Sequence, residues 1–107
     1  MFKVNKLKNG DFNFKLYAKN KQILLFSESY TTKNAVLNTI ESVRRNSLME
    51  NRFEKMVSSK GEFYFYLKAP NGQIVGTSNY YQSEASRDNG ILSVMKNAPG
   101  AEIVIEL

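Results

Sequence analysis

The chain contains no cysteine and no histidine. Without cysteine there is no disulfide framework and no thiolate metal site, and without histidine the usual zinc, copper and non-haem iron centres lose their commonest ligand. No stretch approaches the roughly 18 apolar residues of a membrane-spanning helix. The opening MFKVNKLKNGDF alternates from its start, where a leader would place a charged segment and then an apolar one. The expectation from these absences is a soluble, cytoplasmic protein with no cofactor, no metal and no membrane partner. Catalytic templates are missing too: there is no glycine-rich phosphate loop, no nucleophile elbow, and no histidine to serve as base for any serine. Ser59 and Lys60 are adjacent, but in a turn such a pair is solvated punctuation. The expectation is a protein that is not an enzyme.

What the chain does contain is a duplication. Sliding the sequence against itself by 51 residues pairs Gly10, Phe12, Phe14 and Leu16 with Gly61, Phe63, Phe65 and Leu67. At the same offset Ser27, Tyr30 and Asn38 meet Ser78, Tyr81 and Asn89, and Ile40, Ser42, Val43 and Asn46 meet Ile91, Ser93, Val94 and Asn97. Positions 10 to 46 give 15 identities over 37 residues without a gap, where unrelated segments give about two or three. A chain of 107 residues is too short for two independent cores, so the copies must share one. Repeat one is residues 1–51 and repeat two is residues 52–107 of a single domain.

Each copy reads in the same order. Phe2 to Leu7 is a strand, and the following Asn9-Gly10 is the signature of a type I′ hairpin, in which both central residues need positive φ. Asp11 to Ala18 alternates, with Phe12, Phe14 and Leu16 on one side and Asn13, Lys15 and Tyr17 on the other. Gln22 to Glu28 is a third strand, apolar on both parities, so its inward side is open. Thr31 or Thr32 caps a helix whose Val36, Ile40, Val43 and Ser47 form a stripe. Arg52 to Val57 is the next strand, ending the first unit and starting the second. The series then recurs: Phe63, Phe65 and Leu67 inward with Tyr64, Tyr66 and Lys68 opposite, a Pro70-Asn71-Gly72 turn, and a strand from Gln73 to Ser78. Next comes a helix capped by Ser83 with Ile91, Val94, Met95 and Ala98 inward, and a last strand from Glu102 to Leu107.

The segments GEFYFYLKAPNGQIVGTSNYY and SEASRDNGILSVMKNAPG, with their first-copy counterparts GDFNFKLYAKNKQILLFSESY and TIESVRRNS, resemble the YegP-like family, small bacterial proteins of unassigned function. The resemblance implies an α+β fold. It is a tandem duplication of a β-β-β-α-β unit, with one antiparallel sheet, two helices on one face and exchanged C-terminal strands. Because the second copy supplies the strand-exchange partner, the chain is expected to be a monomer. The first copy departs from the pattern where Lys21 replaces a turn glycine and Thr39 replaces the glycine before Ile40. The family supplies no substrate, cofactor or catalytic residue.

Function is therefore sought where the copies differ. The net charge of +5 is uneven: residues 1 to 52 hold ten Lys or Arg against four Asp or Glu, and the remainder hold five against six. Such basicity attracts a polyanion such as nucleic acid, although no consecutive basic block is present and a solvated surface is the simpler account. Two helices on one face of a sheet leave the other uncovered, and its parity carries Lys15, Tyr17, Tyr64, Tyr66 and Lys68. Rings interleaved with cations stack bases and neutralise phosphates. Lys60 to Tyr66 even has a passing likeness to the RNA-recognition octapeptide, with Glu62 where an aromatic is required. Tyrosines also simply suit exposed strands. The paired Ser27/Tyr30 and Ser78/Tyr81 read as hydroxyls serving backbone groups at the strand-to-helix turn. The overall expectation is a small non-enzymatic binding or accessory protein, the alternatives being a weak single-stranded nucleic-acid binder and a module that docks a protein partner.

Overall fold

The computed structural model of the chain describes Met1–Leu107 and contains seven strands and two helices. They are β1 (Phe2–Lys6), β2 (Phe12–Tyr17), β3 (Ile23–Phe26), α1 (Lys33–Asn46), β4 (Phe53–Val57), β5 (Phe63–Lys68), β6 (Ile74–Thr77), α2 (Glu84–Asn97) and β7 (Ile103–Glu106), with a single 3-10 turn at Glu50–Arg52. All strands join one sheet in the order β4-β5-β6-β3-β2-β1-β7.

The middle of this order explains the duplication. β3 and β6 occupy the same place in their repeats, and they pair antiparallel through Phe26 and Thr77, which are themselves equivalent at the 51-residue offset. Antiparallel pairing of equivalent strands is what a two-fold axis normal to the sheet produces. Large side chains of equal size would collide near that axis, and the copies differ there. Leu25 lies over Gly76, whose Cβ position is 3.1 Å from the Leu25 Cδ1. Away from the axis the pairs are repeated faithfully. Phe2 meets Phe14 edge-on at 5.7 Å, and their counterparts Phe53 and Phe65 do the same at 5.7 Å.

The helices cover one face. Thr32 caps α1 by accepting from the Ala35 N–H at 3.1 Å, and Ser83 caps α2 by accepting from the Ser86 N–H at 3.1 Å. Their apolar stripes bring Val36, Ile40, Val43, Ile91, Val94 and Ala98 down onto Phe2, Val4, Phe14, Leu16, Phe65 and Leu67. α1 reaches across to β5 and β6, and α2 reaches β3 as well as β5. Sixteen buried apolar residues thus form one core that neither repeat owns.

The last strand departs from an all-antiparallel sheet. β7 pairs parallel with β1, Phe2 opposite Ile103 and Val4 opposite Ile105. Hairpins impose antiparallel neighbours, whereas a helical crossover leaves the direction free, and α2 carries the chain from the middle of the sheet to its far edge. Arg44 on α1 secures this crossover by donating to the backbone carbonyl of Ala101 just before β7. In the other half, α1 is followed by β4, which pairs with β5. Each helix therefore sends its next strand to the outer edge of the other repeat, and β4 serves both as that exchanged strand and as the first strand of repeat two.

Two local readings change. The Asn9-Gly10 turn is not type I′, because Gly10 has φ +91° while Asn9 does not have positive φ. The Gly10 N–H donates to the Leu7 carbonyl at 3.0 Å and the Leu7 N–H to the Asp11 carbonyl at 2.7 Å, a type I turn closed by one left-handed residue. Asn9 serves through its side chain, accepting from the Asp11 N–H at 2.9 Å. The same hydrogen-bond pattern recurs at Ala18 to Gln22, Ser58 to Glu62 and Ala69 to Gln73. As for the open parity of Gln22 to Glu28, both Leu24 and Leu25 are buried. A bulge opposite Leu16 and Tyr17 inserts a residue, so successive side chains no longer simply alternate.

The second-copy glycine before Ile91 has a packing reason. The Tyr81 ring stacks on Phe65 at 6.4 Å, and a Cβ on Gly90 would meet the Tyr81 hydroxyl and lie 2.7 Å from its Cζ. Gly90→Ala is expected to destabilise the protein by about 1–3 kcal/mol through overpacking. In a Tyr81→Ala background the same change should instead stabilise by about 1 kcal/mol through helix propensity. A denaturant double-mutant cycle reads this sign reversal, and equal costs in both backgrounds would remove the explanation.

Candidate binding face

Strand alternation places every even-numbered residue of β5 on the side away from the helices: Phe65 and Leu67 are buried, while Tyr64, Tyr66 and Lys68 are partly exposed. On β2 the same alternation turns Lys15 and Tyr17 outward. The five sequence-derived residues share one face, but not one cluster. Following the register, Lys3 lies beside Lys15, Lys15 beside Phe26, Phe26 beside Thr77, Thr77 beside Tyr66 and Tyr66 beside Glu54. This row crosses six of the seven strands, and Val104 of β7 lies beyond Lys3 at its end. Lys15 and Tyr66 are three strand spacings apart, about 14 Å.

The face is polarised along that row. At the repeat-two end Tyr64 packs edge-on to Tyr66 and to Tyr80, both at 5.4 Å. Interaction with the Tyr66 hydroxyl, followed by partial desolvation and the Glu54 charge, raises the Tyr64 phenol above its ordinary value. The first-copy counterparts of Tyr64, Tyr66 and Tyr80 are Asn13, Lys15 and Ser29. At the repeat-one end Lys3 lies over the Tyr17 ring at 5.5 Å. The two lysines named from sequence differ in availability. Lys68 is tied to Glu54 at 3.0 Å, whereas Lys15 forms no ion pair.

Phe26, Thr77, Tyr80 and Lys3 were missed by sequence reasoning. Phe26, 37 % exposed at the centre of the face, was hidden by the open parity of its strand. Tyr80, 60 % exposed, carried a readable signal, because it stands where the first copy has Ser29.

Of the recurrent hydroxyls, those of Ser27 and Ser78 serve backbone groups, whereas Tyr30 and Tyr81 contribute through their own backbones. Ser27 Oγ accepts from the Phe14 N–H at 2.9 Å and donates to the Glu28 carbonyl at 2.8 Å, and Ser78 repeats both bonds with Phe65 and Asn79. Tyr30 and Tyr81 exchange backbone hydrogen bonds with Phe12 and Phe63. Ser59 and Lys60 sit exposed in the β4–β5 turn.

On the helical side Arg87 takes the position of Val36 in the second-copy stripe. It is 6 % exposed, with its guanidinium over the Phe63 ring at 5.4 Å and its Nε 3.3 Å from Asp88. Lys55 reaches the same carboxylate at 3.2 Å. Desolvation opposes ionisation of Asp88, but the hydrogen bonds from Lys55 and Arg87 prevail and hold its carboxyl below the ordinary value. No helix is long and apolar enough to cross a membrane.

Comparison with known proteins places this architecture. The model of a domain of unknown function (DUF1508) matches the chain twice, at residues 8–54 and 58–104. A UPF0339 protein encoded in the ptx operon 5′ region of Stutzerimonas stutzeri is 48% identical over 103 residues, covering 96% of this chain and 93% of that one. The solution NMR structure of a UPF0339 protein from Shewanella oneidensis superposes with a TM-score of 0.92 at 46% identity, covering 97% of this chain and 88% of that one. The solution NMR structure of yegP from E. coli, a protein of unknown function, gives 0.87 at 43% identity, covering 98% and 89%. With its doubled domain and its sheet order both in view, the chain belongs to the UPF0339, YegP-like family.

Proposed function

We propose that this chain is a non-enzymatic binding protein that uses the uncovered face of its sheet, and that its ligand is a single strand of nucleic acid. The observation that carries the reading is the continuous row from Lys3 to Tyr66, cationic at one end and aromatic at the other. Aromatic rings on an open sheet stack two or three bases, and lysines beside them neutralise phosphates. Stacking is tolerant of sequence, because every base has a π-face. The Lys68–Glu54 and Lys3–Glu106 pairs temper the positive potential, so affinity should be modest and salt-sensitive.

Titration of a fluorescently labelled single-stranded oligonucleotide at two salt concentrations tests this. The expected result is binding tighter than about 1 mM at low salt that weakens as salt rises. Binding no tighter than that, or unchanged by salt, would reject a nucleic-acid ligand. A stoichiometric protein partner displaced by changes at Tyr64 and Tyr66 would reassign the face to protein docking.

A further inference from the structure

The basicity of repeat one gathers at a second place. Where the turn after β2 faces the segment between α2 and β7, a hollow of about 660 Å³ is lined by Lys3, Tyr17, Lys19, Lys21, Lys96 and Glu102, among others. Four lysines therefore surround it against one carboxylate. Lys19, Lys21 and Lys96 form no ion pair, and Lys3 is held at 3.4 Å by Glu106. Lys96 also suits the carbonyl end of α2, and Lys3 pairs with Glu106 and lies over the Tyr17 ring, but no such contact accounts for Lys19 or Lys21.

The fold does not require them. At the 51-residue offset Lys3, Lys19 and Lys21 correspond to Glu54, Pro70 and Gly72, and repeat two builds the same turn without them. Lys21 stands out among these. The four hairpin turns each end in a left-handed residue, which is Gly10, Gly61 and Gly72 in three of them and Lys21, with φ +70°, in the fourth. A side chain there costs roughly 1–2 kcal/mol that glycine avoids. Unpaired like charges add repulsion. A strained backbone position occupied by lysine and bordering a basic hollow is a cost to folding that a bound anion would offset.

We infer that this hollow is a binding site for a phosphate group carried by a ligand of roughly nucleotide size. Several free ammonium groups match a multiply charged phosphate better than a single carboxylate, the volume falls in the range of small-molecule sites, and the Tyr17 ring offers an apolar wall. The phosphate could belong to a free small molecule or to a nucleic-acid strand running off the sheet face, since Lys3 and Tyr17 border both. The inference does not depend on the sheet-face reading.

Amide NMR shifts of the labelled protein test it, with AMP, inorganic pyrophosphate, phosphate-free adenosine and an oligonucleotide lacking terminal phosphates as probes. AMP and pyrophosphate should shift Lys19 to Gln22 and Asn97 to Glu102, and adenosine should not. Shifts there with the oligonucleotide alone would keep the phosphate site and assign it to a strand. The Lys19→Gln, Lys21→Gly variant, which restores the glycine of the other turns and so keeps the fold, should weaken binding at least about tenfold. The Tyr64→Ala, Tyr66→Ala variant should leave these shifts intact, which separates the hollow from the sheet face. No shift with any phosphate probe at about 10 mM, or shifts unchanged in the lysine variant, would overturn the inference.

Discussion

Phe65→Ala lowers the stability of the whole chain by about 3–5 kcal/mol, as expected for truncating a large, fully enclosed aromatic side chain. Phe65 has no exposed surface, meets Phe53 edge-on at 5.7 Å and stacks against Tyr81 at 6.4 Å. Its neighbours are held by caps and hairpins on every side, so the vacated space cannot collapse freely. A domain of this size is stable by roughly 5–15 kcal/mol in total, and the melting temperature should fall by about 15–30 °C. Phe14→Ala, the same change in repeat one, should cost a similar amount, because Phe14 is equally enclosed and meets Phe2 in the matching geometry. Both variants should unfold in one transition, since α1 packs on strands of both repeats. Two separate transitions in calorimetry, each moved by only one substitution, would mean that the repeats hold separate cores.

The second large effect concerns binding. Tyr64→Ala with Tyr66→Ala removes two of the three rings of the edge-on cluster. Stacking contributes about 1–3 kcal/mol per base, so affinity for a single strand should fall by about a hundredfold. Both residues lie on the uncovered side of β5, and their backbone hydrogen bonds to β4 and β6 do not depend on the rings, so the fold should tolerate the change. Lys15→Gln acts differently: it removes an unpaired cation, weakens binding several-fold and flattens the salt dependence. An unchanged affinity in the tyrosine variant, with melting preserved, would exclude this end of the face.

Much of the fold was legible because local signals agreed with one another. A threonine cap at Thr31 or Thr32, which the structure places at Thr32, Ser83, the Val36–Ile40–Val43 stripe and the alternation of Phe63, Phe65 and Leu67 each required only their neighbours to be read, and the 51-residue offset said that the reading must hold twice. The parts that were not legible depend on distant partners. Leu24 and Leu25 could not be assigned a side, because the bulge that buries both is fixed by β2. The parallel β7 depends on where α2 delivers the chain, which nothing within Ile103–Glu106 specifies. Arg87, which stands where the first copy has Val36, gave no inward signal in sequence, yet it is buried by resting on Phe63 and pairing with Asp88. The candidate face was half visible: alternation identified Lys15, Tyr17, Tyr64, Tyr66 and Lys68, while Phe26 and Thr77, which join the two ends, became visible only through the pairing of β3 with β6.

The duplication also shows how function can be separated from folding. Positions shared by the copies are core aromatics, turn formers, caps and stripe residues. Among the positions that differ are Tyr64, Tyr66 and Tyr80 against Asn13, Lys15 and Ser29, and Lys3, Lys19 and Lys21 against Glu54, Pro70 and Gly72. At these positions repeat two carries rings and repeat one cations, whereas Tyr17 and Lys68 stand the other way round. A pseudo-symmetric sheet has thereby become a surface with two unlike ends.

The most direct test of that claim is to map, by amide NMR shifts in the labelled protein, where a short single-stranded oligonucleotide binds. The proposed reading predicts perturbations along the row Lys3, Lys15, Phe26, Thr77 and Tyr66, with α1 and the first three turns of α2 undisturbed. Perturbations confined to the helices, or none at all, would contradict it.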